Sequence, residues 1–346
     1  MSKEQYFCFA VGVGTHNEEG SWLEVFYPTP LHQPSKALVT RLCETFDLNE
    51  GNHTLQLNGE QLTRLATASR DSGYADQADL AEKLIDSTQP IAMVLLASDS
   101  DPQSVPEAYL KLHLISRRLC KPHGVNLNGI FGLLPNNAWT NQGAIDLREL
   151  PEKQLLARCK GETISVFSVD KFPRLTDYVV PEGVRIADTT RVRLGAYLGA
   201  GTTIMHEGFV NFNAGTIGPG MIEGRISSGV MVGAGSDLGG GCSTMGTLSG
   251  GNTVVISIGE GCLIGANAGV NIALGDRCTI EAGLYLTAGS VVKVLDDEGN
   301  SVNKCKAREL SGKSDLLFIR NSLSGRVECK TNRSAIELNT ELHANN

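Results

Sequence analysis

No stretch of this 346-residue sequence approaches the roughly 18 consecutive apolar residues of a membrane-spanning helix, so an integral helical membrane protein is not expected. The start, MSKEQYFCFAVGVG, lacks a basic segment followed by a long apolar core, and no secretory leader is expected. The nine cysteines are odd in number and include no C-x-x-C pair. That usage excludes a zinc ribbon or a disulfide frame and suits free thiols in a reducing cytosol. Positive charge is outweighed, 30 Lys and Arg against 38 Asp and Glu, which argues against a dedicated nucleic-acid binder. The chain is 41% hydrophobic and 20% charged, enough for sizeable cores in two or three domains of a folded cytoplasmic protein.

Residues 1–175 carry mixed α/β patterns and form the expected N-terminal domain. YFCFAVGVGT predicts a strand entering a glycine turn, and GVGTHNEEG fits neither glycine-rich nucleotide fingerprint. SKALVTRLCETF and DQADLAEKLIDS have helical spacing, and IAMVLLAS has the pattern of a buried strand. SVPEAYLKLHLISRRLC predicts an amphipathic helix with Pro106 near its first turn.

Over residues 176–293 the composition changes. Lysine is absent between Lys171 and Lys293, and 25 of the 39 glycines lie between Gly183 and Gly289. Aliphatic residues recur every six positions: Ile186, Val192, Leu198, Ile204 and Val210, then Ile226, Val232 and Leu238, then Ile258, Ile264 and Val270, then Leu274, Ile280, Leu286 and Val292. A period of six is neither helical nor the alternation of a half-buried strand. It predicts a solenoid of parallel strands with three six-residue sides per coil, one aliphatic side chain per side pointing inward, and glycine at tight corners. A flexible glycine-rich linker would not space its aliphatics. The step breaks at 211–220, NFNAGTIGPG, and at 239–254, GGGCSTMGTLSGGNTV. Both are expected to leave the coil as loops, a common site of binding faces. Residues 294–346 are charged again and predict a C-terminal cap, with FIRNSLSGRVECK a hairpin turning at Ser-Gly and SAIELNTELHA a short helix.

The triplet Glu223-Gly224-Arg225 stands between the two breaks. A carboxylate among glycines and aliphatics is partly desolvated, which makes it a better base near neutrality. Arg225, two residues on, shares a strand face with Glu223; it either pairs with it or presents its fork to a substrate carboxylate. His206 is the one histidine of the solenoid, a structural residue or a general base, and too few for a zinc site built on histidines. Its neighbour Glu207 either binds a cation, pairs with another subunit or is simply solvated. Gly239, Gly240 and Gly241, with Ser243, offer backbone N–H groups and room for a thioester or an amide-rich arm, or form a plain tight loop. Lys306, Arg308 and Arg320 are candidates to meet phosphates.

Taken together, MHEGFVNFNAGT, MIEGRISSGV, GSDLGGGCSTMGTLSGG, GCLIGANAGV, EAGLYLTAGS, KAREL and LLFIRNS resemble the tetrahydrodipicolinate N-succinyltransferase family, in the branch with a larger N-terminal domain found in pseudomonads and actinobacteria. YLKLHLISRRLCKPHGVNLNGIFGLLPNNAWTNQGAIDL resembles the pseudomonad members. The resemblance implies a left-handed parallel β-helix, a homotrimer with active sites between adjacent prisms, and succinyl transfer from succinyl-CoA to the amine of ring-opened tetrahydrodipicolinate in lysine and diaminopimelate synthesis. It makes Glu223 the catalytic carboxylate, acting through an acyl anhydride or as a base; the base is the simpler chemistry, because a neutral, positioned amine attacks a thioester readily. It places succinyl-CoA contacts at Arg225, Gly240, Ser243, Ala266, Glu281, Ala282, Gly289, Lys306, Arg320, Asn321 and Ser322. Some members hold magnesium on the trimer axis through an aspartate and a glutamate. The glutamate corresponds to Glu207, but the aspartate's position is Thr190 here. Two rivals stand beside this expectation. One is another hexapeptide-repeat acyltransferase, using acetyl-CoA or a sugar acceptor with His206 as base. The other is a non-catalytic solenoid scaffold, which would need neither the triplet nor the inserted loops.

Overall fold

In the computed structural model, residues 6–246 and 255–331 are described. The chain divides into two compact units, one from Met1–Leu114 with Gly124–Pro173 and the other from Ile115–His123 with Arg174–Asn346.

The first unit is built on an antiparallel sheet of β1 (Cys8–His16), β2 (Trp22–Phe26), β3 (Leu31–His32), β4 (His53–Leu57) and β5 (Ile91–Leu96), ordered β2-β1-β5-β4 with β3 also on β1. The expected glycine turn after β1 is a correction, because Gly12 and Gly14 lie inside the strand. A β-carbon on Gly12 would meet the Tyr27 ring at 2.7 Å and one on Gly14 would meet Trp22 at 2.8 Å, so both glycines admit large neighbours across the pair. The turn comes later, where Gly20 N–H donates to Asn17 O. Helices α1 (Lys36–Phe46), α2 (Gly59–Asp71) and α3 (Ala75–Leu84) cover one face around Phe9, Val11, Leu38, Leu42, Leu62, Leu65 and Met93. Ser35 caps α1 by accepting from Leu38 N–H, and Asn58 with Gln61 forms a reciprocal capping box on α2. α4 (Val105–Ser116) follows β5. Strands Asn137–Thr140, Gly143–Asp146 and Val166–Asp170 form a second, three-stranded sheet.

The second unit is a prism of short parallel strands with three faces. Face A runs through residues 202–204, 220–222, 237–238, 263–264 and 279–280; face B through 209–210, 225–226, 243–244, 269–270 and 285–286; face C through 196–198, 214–216, 231–232 and 257–258. The six-residue aliphatics point inward: Leu198, Ile204, Val210, Ile226, Val232, Leu238, Ile258, Ile264, Val270, Ile280, Leu286 and Val292 are all buried. Ile186, in the first coil, is only half-buried.

The two expected breaks are corrected by the strand register. Residues 211–220 are not expelled. Ala214–Thr216 pairs with Ala196–Leu198, and Thr216 takes the inward position of face C. Its hydroxyl meets that of Thr202 at 2.7 Å, and Thr202 Oγ1 donates to Gly218 O at 2.9 Å, so two threonines are satisfied inside the prism. The real contraction falls at the triplet, where Ile222 closes face A and Ile226, four residues on, already belongs to face B. The second excursion begins later than expected. Ser243–Thr244 is in register with Gly269–Val270, so residues 239–244 belong to the coil; the extra length falls after Thr244, where residues 247–254 lie outside the described set.

Leu316–Arg320 extends face A beyond Thr279–Ile280 and forms an antiparallel hairpin with Val327–Thr331. Phe318 and Cys329 are fully buried and close the end of the core. The expected terminal helix over 334–344 lies outside the described residues.

Candidate active site

The site is built along the edge where face A turns into face B. Coil after coil, Glu223, Gly240, Ala266 and Ala282 occupy this edge, tied by a ladder: Glu223 N–H donates to Leu238 O at 2.8 Å, Asn267 N–H to Gly240 O at 2.9 Å, and Gly283 N–H to Ala266 O at 2.8 Å. Small residues are obligatory. A β-carbon on Gly239 would stand 2.8 Å from Ala266 N, and one on Gly265 would collide with the backbone of Ala282. Gly241 has φ +70°, a left-handed conformation that β-carbons resist.

Glu223 is half-buried at this edge. Its carboxylate Oε2 lies 3.4 Å from where a Gly240 β-carbon would be. Gly224 has no room for a side chain, because a β-carbon there would collide with Cys242 Sγ and stand 2.8 Å from Cys242 O. The glycine in the triplet is therefore set by contact with the next coil. Burial, with the negative charge of Glu223 added, pushes the Cys242 thiol up to about 12, so the sulfur beside Glu223 stays protonated at neutral pH. Arg225 is exposed and donates from Nε at 3.1 Å and Nη2 at 2.7 Å to Ser243 Oγ, directly above it on face B. Among the described contacts it makes no ion pair with Glu223, so the carboxylate is not neutralised by the arginine two residues on.

Of the three consecutive glycines, Gly239 and Gly241 give their N–H groups to Ile264 O and Glu223 O. The Gly240 N–H has no hydrogen bond among the described residues.

The remaining expected contacts fall into two groups. Glu281 continues the same edge and accepts from Arg320 N–H at 2.6 Å, while the Arg320 side chain turns to Gly325 O. Asn321 organises the hairpin turn, its Oδ1 accepting from Leu323 and Ser324 N–H and its Nδ2 donating to Glu328, with exposed Ser322 beside it. Gly289 is open to solvent on the Thr287–Ser290 turn; Val291 pairs with Lys306, and Arg308 N–H donates to Ala288 O, which sets Lys306 and Arg308 around that turn. The structure thus gathers the expected residues into one edge, the Arg225–Ser243 pair beside it, and a cationic end.

His206 and Glu207 lie in the coil before Glu223, both largely exposed, with His206 Nδ1 3.1 Å from Glu207 Oε1. Thr190, at the position of the expected aspartate, donates its hydroxyl to Asp188 at 2.6 Å. Among the described residues no three His, Cys, Asp or Glu side chains converge on one point. With Thr190 where the aspartate is expected, one of the two carboxylates of that magnesium site is replaced here, and no step is assigned to a metal. Sequence patterning missed Cys242 as the residue packed behind the triplet; its place in GGGC, one coil above, was the available signal.

Family models match in both halves of the chain. The tetrahydrodipicolinate N-succinyltransferase N-terminal model covers residues 46–132, the middle model of the same enzymes 134–174, and the hexapeptide repeat of succinyl-transferase 255–288. A 2,3,4,5-tetrahydropyridine-2,6-dicarboxylate N-succinyltransferase of Pseudomonas putida is 64% identical over 98% of both chains. The chain belongs to the tetrahydrodipicolinate N-succinyltransferase family. A protein of the same name from Vibrio cholerae is 58% identical over 99% of both. A solved Campylobacter jejuni structure, assigned as a 2,3,4,5-tetrahydropyridine-2-carboxylate N-succinyltransferase, superposes with a TM-score of 0.88 at 32% identity, over 96% of this chain and 94% of that one. As in this family, the prism is the left-handed parallel β-helix of hexapeptide-repeat acyltransferases.

Proposed function

We propose that this chain transfers the succinyl group of succinyl-CoA to the amine of ring-opened tetrahydrodipicolinate, working as a cytoplasmic homotrimer with its sites in grooves between adjacent prisms. The observation that carries the reading is Glu223, a half-buried carboxylate free of its neighbouring arginine at the foot of an edge of glycines and alanines. Among the described residues no helix is long and apolar enough to cross a membrane.

In this reading the acyl donor lies along the edge past Gly240, Ala266 and Ala282, with its phosphates toward Lys306 and Arg320. Small side chains allow the close approach of an extended amide-containing arm. Glu223 takes a proton from the substrate ammonium. The neutral amine nitrogen attacks the thioester carbonyl carbon, and the Gly240 N–H meets the oxygen that gains charge. As the tetrahedral intermediate collapses, the C–S bond breaks, protonated Glu223 gives the ammonium's proton to the departing CoA thiolate, and the carboxylate so freed takes the second proton from the nitrogen and releases it to solvent. Arg225, held by Ser243, meets a carboxylate of the succinyl group or of the acceptor. His206 stands one coil before Glu223, but its largely exposed ring and its Glu207 partner disfavour it as the base.

The test is release of CoA thiol from succinyl-CoA or acetyl-CoA, with and without tetrahydrodipicolinate. Acceptor-dependent release favouring succinyl-CoA is expected, and Glu223→Gln should lower kcat by about 10²–10⁴-fold with the oligomer intact. Acetyl-CoA as the better donor, or a Glu223→Gln enzyme within a few-fold of the original, would overturn the assignment.

A further inference from the structure

On face B, Arg225, Ser243, Gly269 and Tyr285 stand in register on four successive coils. Coils repeat at about 4.8 Å, the spacing of hydrogen-bonded strands. Arg225 reaches up this column to Ser243. Tyr285 reaches down it: a β-carbon on Gly269 would stand 2.6 Å from the ring's Cε1 and 2.9 Å from its Cγ, so the ring covers the backbone of Gly269 and occupies the space a side chain there would take. The guanidinium thus reaches Ser243 from one side of the column, and the ring covers the next position, Gly269, from the other. Even so, Tyr285 is 56% exposed, a large aromatic surface on a prism edged with glycine and alanine. Gly269 costs the coil a side chain, and the return visible in the structure is the placement of this ring.

We infer that Tyr285 is a positioning residue for the acyl donor, its exposed face flanking the apolar, amide-containing arm of the thioester as the arm passes Ala266 and Ala282. This rests on the proposed succinyl transfer. The chemistry fits: a flat ring covers methylene and amide groups at low conformational cost, because only two side-chain torsions are fixed. The level fits as well. Tyr285 lies three coils above Arg225, about 14 Å along the axis at the strand spacing, beyond the reacting carbonyl and within reach of an extended arm.

The experiment compares Tyr285→Ala and Tyr285→Phe with the original enzyme, using succinyl-CoA and the truncated donor succinyl-N-acetylcysteamine, which keeps the thioester and lacks most of the arm. For Tyr285→Ala, KM for succinyl-CoA should rise about 10-fold, the equivalent of roughly 1.4 kcal/mol of aromatic contact. Its kcat and acceptor KM should change less than about two-fold, and Tyr285→Phe should behave as the original enzyme. With the truncated donor the difference should vanish. A merely structural role would impair both donors alike, and that result, or an unchanged KM for succinyl-CoA in a folded oligomer, overturns the inference while leaving the activity standing. If Tyr285→Ala fails to assemble, Tyr285→Leu carries the same donor comparison. An original enzyme that transfers no succinyl group overturns the activity and this inference together.

Discussion

Arg225 gives two of its nitrogens to one oxygen, Ser243 Oγ, across neighbouring coils, although Glu223 is only two residues away. The serine therefore aims the guanidinium and keeps it from neutralising the carboxylate. Ser243→Ala should lower kcat/KM about 10-fold while the protein stays folded, since a hydrogen bond to a charged group is worth about 1.5–3 kcal/mol and part is recovered from solvent. Steady-state kinetics beside a thermal melt check this; unchanged kcat/KM would show that the arginine needs no aiming.

The two glycines around Glu223 should fail differently. At Gly224 a methyl group collides with Cys242, so Gly224→Ala should destabilise by about 1–3 kcal/mol and displace the triplet. At Gly240 the nearest atom to a β-carbon is Glu223 Oε2 at 3.4 Å, an ordinary contact, so Gly240→Ala should fold normally and lose turnover because the methyl crowds the carboxylate. Denaturant midpoints and kcat separate the cases. Equal stability losses in both would show that the edge is not shaped as described.

Asp146 gives a pH-dependent prediction in the first unit. Its carboxylate accepts from the Arg148 side chain, from Asn17 and from Arg148 N–H, and these bonds hold its pKa well below the usual range. A depressed carboxyl stabilises the fold above its unfolded value, near 4, and that stability is lost as pH falls through the folded value. Asp146→Asn should therefore cost about 1–3 kcal/mol at pH 7, with the gap narrowing as pH falls below about 4. Urea midpoints at pH 7 and pH 3.5 measure it, and a gap that does not change with pH would refute the assignment.

The prism was legible because its core repeats. One aliphatic every six residues is a pattern that no helix or isolated strand produces, and Leu198, Ile204, Val210 and their successors are buried as the pattern requires. The triplet, too, stood out as charge within glycine. Three things were hidden. Thr216 sits at an inward position that the aliphatic count skipped, because a hydroxyl can be buried when Thr202 is there to accept its proton. The contraction at Ile222–Ile226 made that skipped step look like an insertion. Gly12 and Gly14 suggested a turn, whereas the strand needs them to admit Tyr27 and Trp22, residues across the sheet that no local window connects.

The buried threonine pair supplies a last prediction, and its asymmetry makes it sharp. Thr202 Oγ1 donates to Gly218 O and meets Thr216 Oγ1, so the proton between the hydroxyls comes from Thr216. Thr202→Val removes the acceptor and leaves the Thr216 hydroxyl, 1% exposed, with no partner in the pair. Thr216→Val leaves Thr202 still donating to Gly218. The first change should cost about 1–3 kcal/mol, the price of an unsatisfied buried hydroxyl, and the second clearly less. The double change to valine should be less destabilising than Thr202→Val alone, because both leave Gly218 O without its donor but only the single change also orphans the Thr216 hydroxyl, and a double-mutant cycle should show that non-additivity. Strict additivity, or a larger cost for Thr216→Val, would mean that the two hydroxyls do not share a proton inside the prism.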